Sequence, residues 1–398
     1  MTAIPGMRRR RTAVMLGLDL AALVLVAVLL FVGVLAIRDY TAATNAASDL
    51  ALQRLPVTPT AMFATVDAED QLTSVTMFVA APGGQAGGSI VSIPVNADST
   101  IGLGADRVSL QQVYADGGAE ALVTSVESAL RLTIDHWNVA DPFDAGQFFV
   151  PIGPLEVDLP DDVRKSVDGK VKVVVPKGKR SLSAPQVAEV LNARVDSEPE
   201  STRRPNIEAV WSAVAAGIGG GLPGMSPVPV PASFDDVTAT LFSGPVGARG
   251  LSASQFSPTE NPTGIDVEQL DATEAVLVFA SIAPASMSAP APGLVFRIEA
   301  PPGYDAKVQE TIGLVLFFGG NVSSVNLAGP LQPQTQMYVY DDRFKSDTEA
   351  FNSLLGTVSF PKPTVRVEGA DVTLVLGTDY LNSAKTPVPA STTPKTDG

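Results

Sequence analysis

Cysteine is absent from this 398-residue chain, and histidine occurs once, as His136. The absence of cysteine excludes a disulfide framework, a thiolate metal site and a thiol nucleophile. A single imidazole excludes zinc sites built on two or three histidines, and any serine hydrolase triad would have to use that one ring. We expect His136 to be a structural residue near a strand start, with Trp137 in the core.

Positive charge is also scarce, because 27 lysines and arginines face 42 aspartates and glutamates and give a formal net charge of −15. The first forty residues hold five basic and two acidic side chains, so the remainder carries 22 basic and 40 acidic ones, a net of −18. Such an acidic body repels the phosphate backbone, which argues against a general nucleic-acid binder. With 45% hydrophobic and 17% charged residues, the chain is too apolar to be disordered and is predicted to fold.

An apolar run covers residues 13–37 and has the length that a helix needs to cross a bilayer. The basic cluster Arg8–Arg11 precedes it, so the positive-inside rule places the N-terminus in the cytoplasm and everything after Arg38 outside it. A cleaved signal peptide is the alternative, but its apolar core would be only about 7–15 residues long, which favours an uncleaved anchor. Asp19 is interpreted as tolerated near the interface, with a functional intramembrane carboxylate as the alternative.

Beyond the anchor, alternating apolar runs, glycine and proline clusters and helical spacings divide the chain into successive units. They predict an α/β fold that begins with a strand meander over residues 62–95 and a helix over 109–130 with a Gly-Gly turn. It ends in a small α+β unit of order strand, helix, strand, strand, helix, strand. The predicted organisation is a cytoplasmic basic segment (1–12), a transmembrane helix (13–37), a stalk (38–60), the α/β domain (61–283), a proline-rich linker (284–293), the α+β domain (294–381) and a disordered tail (382–398).

Four segments carry a resemblance to a known family: SIPVNADS (92–99), SLQQVYADGGAEALVTSVESALRLTIDHW (109–137), IGPLEVDLP (152–160) and VEGADVTLVLGTDY (367–380). The first three resemble, in order and spacing, the Ser-Ile-Pro-Arg-Asp strand, the Gly-Gly helix leading to Ile-Asp-His-Tyr and the Gly-Gly-Val-x-Val strand of the LytR-CpsA-Psr family of bacterial envelope proteins. The fourth resembles the small LytR C-terminal domain often found at the end of such proteins. The resemblance implies an α/β/α mixed-sheet domain followed by that smaller domain.

The family resemblance also implies a chemistry, namely transfer of a glycopolymer from a polyprenyl pyrophosphate carrier to peptidoglycan outside the cell. Such a site uses carboxylates to hold magnesium and several arginines to grip phosphate oxygens. The lipid tail needs an apolar slot between the sheet and its helices.

Several of the family's charged positions are altered in this chain. The Arg-Asp pair after Ser-Ile-Pro is replaced by Val95-Asn96, and an Asp-Thr pair appears as Val75-Thr76. The retained ligand-binding candidates are Asp67, Arg194, Arg203 and Arg204. Losing several charged partners removes much of the transition-state stabilisation, so we interpret the chain as a degenerate relative with no catalytic residue, no metal ligand and no cofactor. Magnesium would be required only if the chain were an active transferase.

Each retained candidate also has a purely structural interpretation. Asp67 is equally well explained as a turn residue between two strands. The three arginines lie close to the acids between residues 196 and 200, so an exposed, ion-paired loop is the alternative to a ligand grip.

The leading functional hypothesis is a single-pass envelope protein of the cell membrane whose extracytoplasmic part binds and does not catalyse. The expected partners are the lipid bilayer, a polyprenyl-linked glycan or peptidoglycan, or a membrane protein complex, and no nucleic acid. Two alternatives stay open: an active phosphotransferase that moves a glycopolymer from polyprenyl pyrophosphate to peptidoglycan, and an accessory subunit of a membrane assembly.

Overall fold

A computed structural model of the chain describes residues 50–100, 106–195, 198–289, 293–349, 351 and 354–384. The predicted cytoplasmic segment, the predicted transmembrane helix and most of the predicted tail lie outside these residues. Within the described ranges, no helix combines the length and the apolar character that crossing a bilayer requires.

The secondary structure alternates between short strands and helices along the chain. The strands are β1 (Ala51–Gln53), β2 (Thr60–Val66), β3 (Leu72–Ala80), β4 (Gly88–Ile93), β5 (His136–Ala140), β6 (Leu155–Leu159), β7 (Val163–Val167), β8 (Lys170–Val175), β9 (Gly178–Leu182), β10 (Val246–Gly250), β11 (Ala253–Gln255), β12 (Glu268–Leu270), β13 (Val295–Glu299), β14 (Asn321–Asn326), β15 (Thr335–Val339), β16 (Val358–Ser359), β17 (Val365–Val367) and β18 (Val372–Val375). The helices are α1 (Leu110–Leu130), α2 (Pro142–Phe149), α3 (Ala184–Asn192), α4 (Arg204–Ile218), α5 (Phe234–Phe242), α6 (Ala272–Ile282), α7 (Asp305–Phe317), α8 (Lys345–Glu349) and α9 (Thr378–Leu381).

The first sheet has the strand order β10-β4-β3-β2-β5. Its centre is the predicted meander, in which β2, β3 and β4 pair antiparallel, while β5 joins β2 and β10 joins β4 in parallel. Every residue of β2 and β3 is buried. Because successive side chains of a strand point to opposite faces, such strands require helices on both sides of the sheet. The result is the three-layer α/β/α arrangement that the sequence predicts.

The two faces of this sheet have different cores. On one face, Met62 and Met77 pack with α1 and α6. On the other, Phe63 and Phe78 pack with α2, α3, α4 and α5. Ring centroids 4.4–6.5 Å apart define an aromatic cluster on this second face, formed by Phe63, Phe78, Phe148, Phe149, Trp211, Phe234 and Phe242. The space between sheet and helices, where the resemblance implies a slot for a lipid tail, is therefore packed with the protein's own rings.

Helix α1 confirms the predicted helix over residues 109–130 and shows how its local sequence works. Ser109 caps the first turn by accepting a hydrogen bond from the backbone N–H of Gln112. Gly118 has φ of 68° and ψ of −160°, a conformation that a side chain would strain, and it interrupts the helix at the predicted Gly-Gly turn. Trp137, expected in the core, is instead 44% exposed, because β5 lies at an edge of the sheet.

The second sheet has the strand order β14-β13-β18-β15-β16 and is covered by α7. Helix α6 links the two sheets, because its sides belong to different cores. Ala275 and Phe279 pack with α1 beneath the first sheet, whereas Val276 and Ala280 pack with the second. The predicted linker also contacts the first unit, since the backbone N–H of Thr133 donates to the carbonyl of Ser286 at 2.8 Å.

The end of the predicted stalk is docked on the second unit. Strand β1 pairs in parallel with β17, and Gln53 lies opposite Val367. Leu50 and Leu55 pack beside Tyr340 in the same small core. Residues 50–55 are thus held against the α+β unit by a sheet and by apolar contacts, where the sequence suggested only a spacer.

Candidate functional site

A cavity of about 480 Å³ opens where β2 and β3 meet. Three parts of the chain line it: the β2–β3 turn, the end of α3, and the hairpin of β7 and β8. The lining residues are Asp67, Glu69, Gln71, Lys165, Ser166, Gly169, Val171, Asn192 and Arg194. Of the four predicted site residues, this cavity brings together Asp67 and Arg194, and Arg203 and Arg204 lie outside its lining.

Asp67 holds the β2–β3 turn together. Its Oδ1 accepts hydrogen bonds from the backbone N–H groups of Glu69 at 3.0 Å and Gln71 at 2.9 Å, and its own backbone N–H donates to the Gln71 carbonyl at 3.0 Å. The carboxylate is nearly buried, with 8% of the residue exposed. These bonds match the interpretation of Asp67 as a turn residue, at a position that also lines the cavity.

The charges around the cavity balance. Arg194 donates from Nη1 to Oε1 of Gln71 at 2.9 Å, and Lys165 lies 3.3 Å from a carboxylate oxygen of Glu189. The lining of the cavity contains two cations, Lys165 and Arg194, and two carboxylates, Asp67 and Glu69. A pyrophosphate needs an excess of positive charge, whereas a neutral polar ligand does not.

A buried polar cluster lies behind the cavity wall. The Thr65 hydroxyl is 2.8 Å from that of Thr73 and 2.7 Å from that of Ser74, and the Thr73 hydroxyl donates to Oδ1 of Asn192 at 2.9 Å. Within the described part of the chain, Nδ2 of Asn192 is buried and has no hydrogen-bond partner. Asn192 stands where the family resemblance places the first arginine of an Arg-x-Arg motif, and it was not among the predicted ligand-binding residues.

Arg203 is a partly buried side chain that joins several segments. Its Nη1 donates to both carboxylate oxygens of Glu200 at 2.7 Å, Nε donates to the Ala193 carbonyl at 2.6 Å, and Nη2 donates to the carbonyls of Leu191 and Thr73 at 2.7 and 3.2 Å. Burial raises the pKa of Glu200, and the Arg203 guanidinium opposes that rise. With every nitrogen of its guanidinium engaged, Arg203 ties the end of α3 to β3.

Arg204 forms a second buried ion pair, with Glu268, whose exposed fraction is 3%. Among the described residues, Nε of Arg204 is buried without a hydrogen-bond partner. Burial raises the pKa of the neighbouring Glu208, an effect that Arg204 opposes and Glu274 reinforces. The alternative interpretation, in which these arginines belong to an exposed, ion-paired loop, is therefore wrong for Arg203 and Arg204, because both of their ion pairs are largely buried. For Arg204 the partner also differs, since Glu268 is distant in sequence.

The positions of the family's Arg-Asp pair belong to the same buried region. Val95 and Asn96 are each 2% exposed. Nδ2 of Asn96 donates to Oδ1 of Asp266 at 3.0 Å, and Oδ2 of Asp266 accepts from the backbone N–H of Glu200 at 2.7 Å. The segment that carries Asp266 and Glu268 thus covers Asn96 and brings carboxylates towards the arginines.

Two features of the described residues bear on a magnesium site. Oδ1 of Asp67 already accepts two backbone hydrogen bonds. Magnesium requires oxygen ligands in near-octahedral geometry, with carboxylates among them. In the ranges that the structure describes, no three acidic or imidazole side chains come close enough together to hold a metal ion.

Comparisons with known proteins give limited similarity. No family model and no curated protein matches the sequence. Among solved structures, B. subtilis TagT is 16% identical over 56% of this chain and 88% of its own, with a TM-score of 0.40. The LytR-CPS2A-psr family protein YwtF (TagT) with bound octaprenyl pyrophosphate lipid is 14% identical over 55% of this chain and 86% of its own, with a TM-score of 0.38. The Lin1025 protein from Listeria innocua is 18% identical over 56% and 95%, with a TM-score of 0.36.

Structures similar to about half of the chain thus include a protein of the LytR-CPS2A-psr family, the family that the sequence segments resemble.

Proposed function

We propose that this chain is a membrane-anchored, extracytoplasmic protein of the bacterial cell envelope that binds a lipid-linked glycan without transferring it. The observation that carries the proposal is that Arg203 and Arg204 are bound by the chain's own acids, Glu200 and Glu268. The membrane anchor is the apolar run at residues 13–37, which lies outside the described residues.

Phosphoryl transfer depends on cations that reach the phosphate oxygens in the transition state. The guanidinium N–H groups of Arg203 already donate hydrogen bonds to Glu200 and to three backbone carbonyls. At the position of the Arg-Asp pair, Val95 supplies no charge and Asn96 is held by Asp266. Opening the Arg203–Glu200 pair for a ligand would leave a largely buried carboxylate without its partner, at a cost of up to about 3–5 kcal/mol.

The cavity suits the glycan part of such a ligand better than its pyrophosphate. Its charges balance, and its wall includes the Gln71 and Ser166 side chains. Sugar hydroxyls both donate and accept hydrogen bonds, which matches amide, hydroxyl and carboxylate groups around one space.

The test is to incubate the full chain in detergent or nanodiscs with a polyprenyl-pyrophosphate-linked glycan, with and without magnesium, and to follow both binding and phosphate release. We expect binding without turnover, and weaker binding in Glu69→Ala, which alters the cavity wall. Arg54→Ala is the matched control, because Arg54 is well exposed and lies outside the cavity. Magnesium-dependent turnover that Asp67→Ala or Arg194→Ala abolishes would instead establish the phosphotransferase alternative.

Docking on a membrane protein complex is a second candidate, favoured by one feature of the surface. Trp137 and Phe143 are 44% and 70% exposed, on the edge strand β5 and the helix that follows it. Large apolar side chains exposed near each other often mark protein contacts. Co-purification of a partner in mild detergent that Trp137→Ser or Phe143→Ser prevents would support this role.

A further inference from the structure

One short segment carries a positive net charge, although the chain as a whole is acidic. Residues 164–180, here called the basic hairpin, span most of β7, all of β8 and the first part of β9. They contain seven basic residues and one acid, a net of +6, whereas the rest of the chain has 20 basic and 41 acidic residues, a net of −21. The basic residues are Arg164, Lys165, Lys170, Lys172, Lys177, Lys179 and Arg180.

Most of this positive charge is not neutralised by the protein. Arg164 pairs with Glu198 at 2.8 Å, and Lys165 pairs with Glu189 at 3.3 Å. In the part of the chain that the structure describes, the exposed lysines of the hairpin form no ion pair; they are Lys170, Lys172, Lys177 and Lys179. The strand register even places Lys172 directly opposite Lys165, an arrangement that is unfavourable in the absence of a nearby anion.

Exposed valines accompany the lysines. Val171 and Val173 are 53% and 52% exposed, and alternation along β8 puts them on one face while Lys170 and Lys172 lie on the other. Val175, beyond a register shift in the pairing of β7 with β8, is only 4% exposed and enters the core beside the aromatic cluster. Folding therefore explains the burial of Val175 but leaves Val171 and Val173 in water.

We propose that the basic hairpin docks on the surface of an anionic lipid bilayer. Each lysine or arginine near such a surface contributes about 1 kcal/mol of attraction, and the long lysine stems let the ammonium groups reach the headgroups while the valines enter the interface. A soluble anionic polymer would use the lysines but leave the valines in water, so the combination favours the bilayer.

The proposal rests on the proposed membrane location and deepens the proposed function. Lys165, Ser166, Gly169 and Val171 belong both to the hairpin and to the cavity wall. Docking of the hairpin would place the mouth of the cavity at the bilayer surface, where the headgroup of a lipid-linked glycan lies.

The absence of cysteine makes a direct test practical, because one introduced cysteine is the only thiol available for labelling. The full chain with Val173→Cys, carrying a polarity-sensitive fluorophore, is placed in nanodiscs of phosphatidylcholine alone or with phosphatidylglycerol. We expect a blue shift of emission in the anionic nanodiscs only, its loss at 1 M salt, and its loss in a background of Lys170→Gln and Lys172→Gln. Val230→Cys is the matched control, since Val230 is 82% exposed and lies far along the chain, and its probe should not shift.

Three outcomes would overturn the proposal. They are equal emission in neutral and anionic nanodiscs, a shift that soluble polyphosphate reproduces without lipid, and a shift that depends on protein concentration and so reports a second copy. Failure of the proposed function gives different results. A chain that is not retained in nanodiscs lacks the membrane anchor. A chain that shows the emission shift but does not bind the glycan contradicts only the proposed function.

Discussion

Arg194 and Arg203 lie close together in sequence, yet the fold gives them opposite surroundings. Arg194 faces a cavity and contacts Gln71, whereas Arg203 is largely enclosed and donates to Glu200 and three carbonyls. The same side chain can therefore be part of a binding wall or part of the scaffold. What separates the two is the set of acceptors that tertiary structure brings to each guanidinium.

The largest expected effect on the free energy of unfolding comes from truncating Arg203. Arg203→Ala leaves Glu200 without its partner and three carbonyls without their donor, so we expect a loss of about 3–5 kcal/mol in the free energy of unfolding. Arg194→Ala, at the cavity, should cost about 1 kcal/mol or less. Urea denaturation followed by circular dichroism measures both. Equal losses of unfolding free energy in the two variants would show that Arg194 and Arg203 contribute equally to stability, despite their different surroundings.

The Arg204–Glu268 pair tests whether charge or volume matters in the buried region. Glu268→Leu alone should destabilise the protein by about 3 kcal/mol, because it leaves the Arg204 charge buried and unpaired. Adding Arg204→Met should restore most of that loss, since a buried ion pair can be replaced by apolar side chains of similar volume. A double variant that is as unstable as the sum of the two single variants contradicts this account.

Asp67 is expected to give a smaller, informative effect. Asp67→Ala removes the acceptor of two backbone hydrogen bonds and should cost about 1–2 kcal/mol in the free energy of unfolding. Asp67→Asn keeps an acceptor oxygen and should cost distinctly less. If the asparagine variant is as unstable as the alanine variant, the negative charge, rather than the turn hydrogen bonds, is what stabilises this position.

The smallest expected effect is on the pH dependence of the protein's stability. Burial raises the pKa of Glu208 in the folded protein, so the folded state holds this proton to a higher pH than the unfolded state does. Stability contributed by this group is therefore present at low pH and declines as pH rises from the ordinary carboxyl range through the raised pKa. Glu208→Gln should remove that decline. The difference in unfolding midpoint between variant and parent, measured from pH 4 to 7, should grow with pH.

The local features of the fold followed from the sequence. Apolar alternation predicted the β2–β3–β4 meander, and the helical spacing between Ser109 and Leu130 predicted α1 together with a Gly-Gly turn, where the structure has a break at Gly118. Each depends on neighbours a few residues away. Trp137 was predicted wrongly because an apolar residue in a strand does not reveal whether that strand lies at the centre or the edge of a sheet.

The candidate site was only half predictable. Asp67 and Arg194 were identified and share one cavity, while Asn192 and the hairpin residues that complete it were not. The family resemblance pointed to the region of the chain that holds Arg194, Arg203 and Arg204. It could not indicate that Asp266 and Glu268, far along the chain, would engage Asn96 and Arg204.

The sequence by itself determined the exclusion of thiol and multi-histidine chemistry, the acidic body with its basic hairpin, and the order of strands and helices. These depend on composition and on short-range periodicity. Only the tertiary structure decided that Arg204 meets an acid 64 residues away, that α6 serves two cores, and that residues 51–53 pair with β17. Such contacts join segments distant in the chain, and their partners are selected by how whole elements pack.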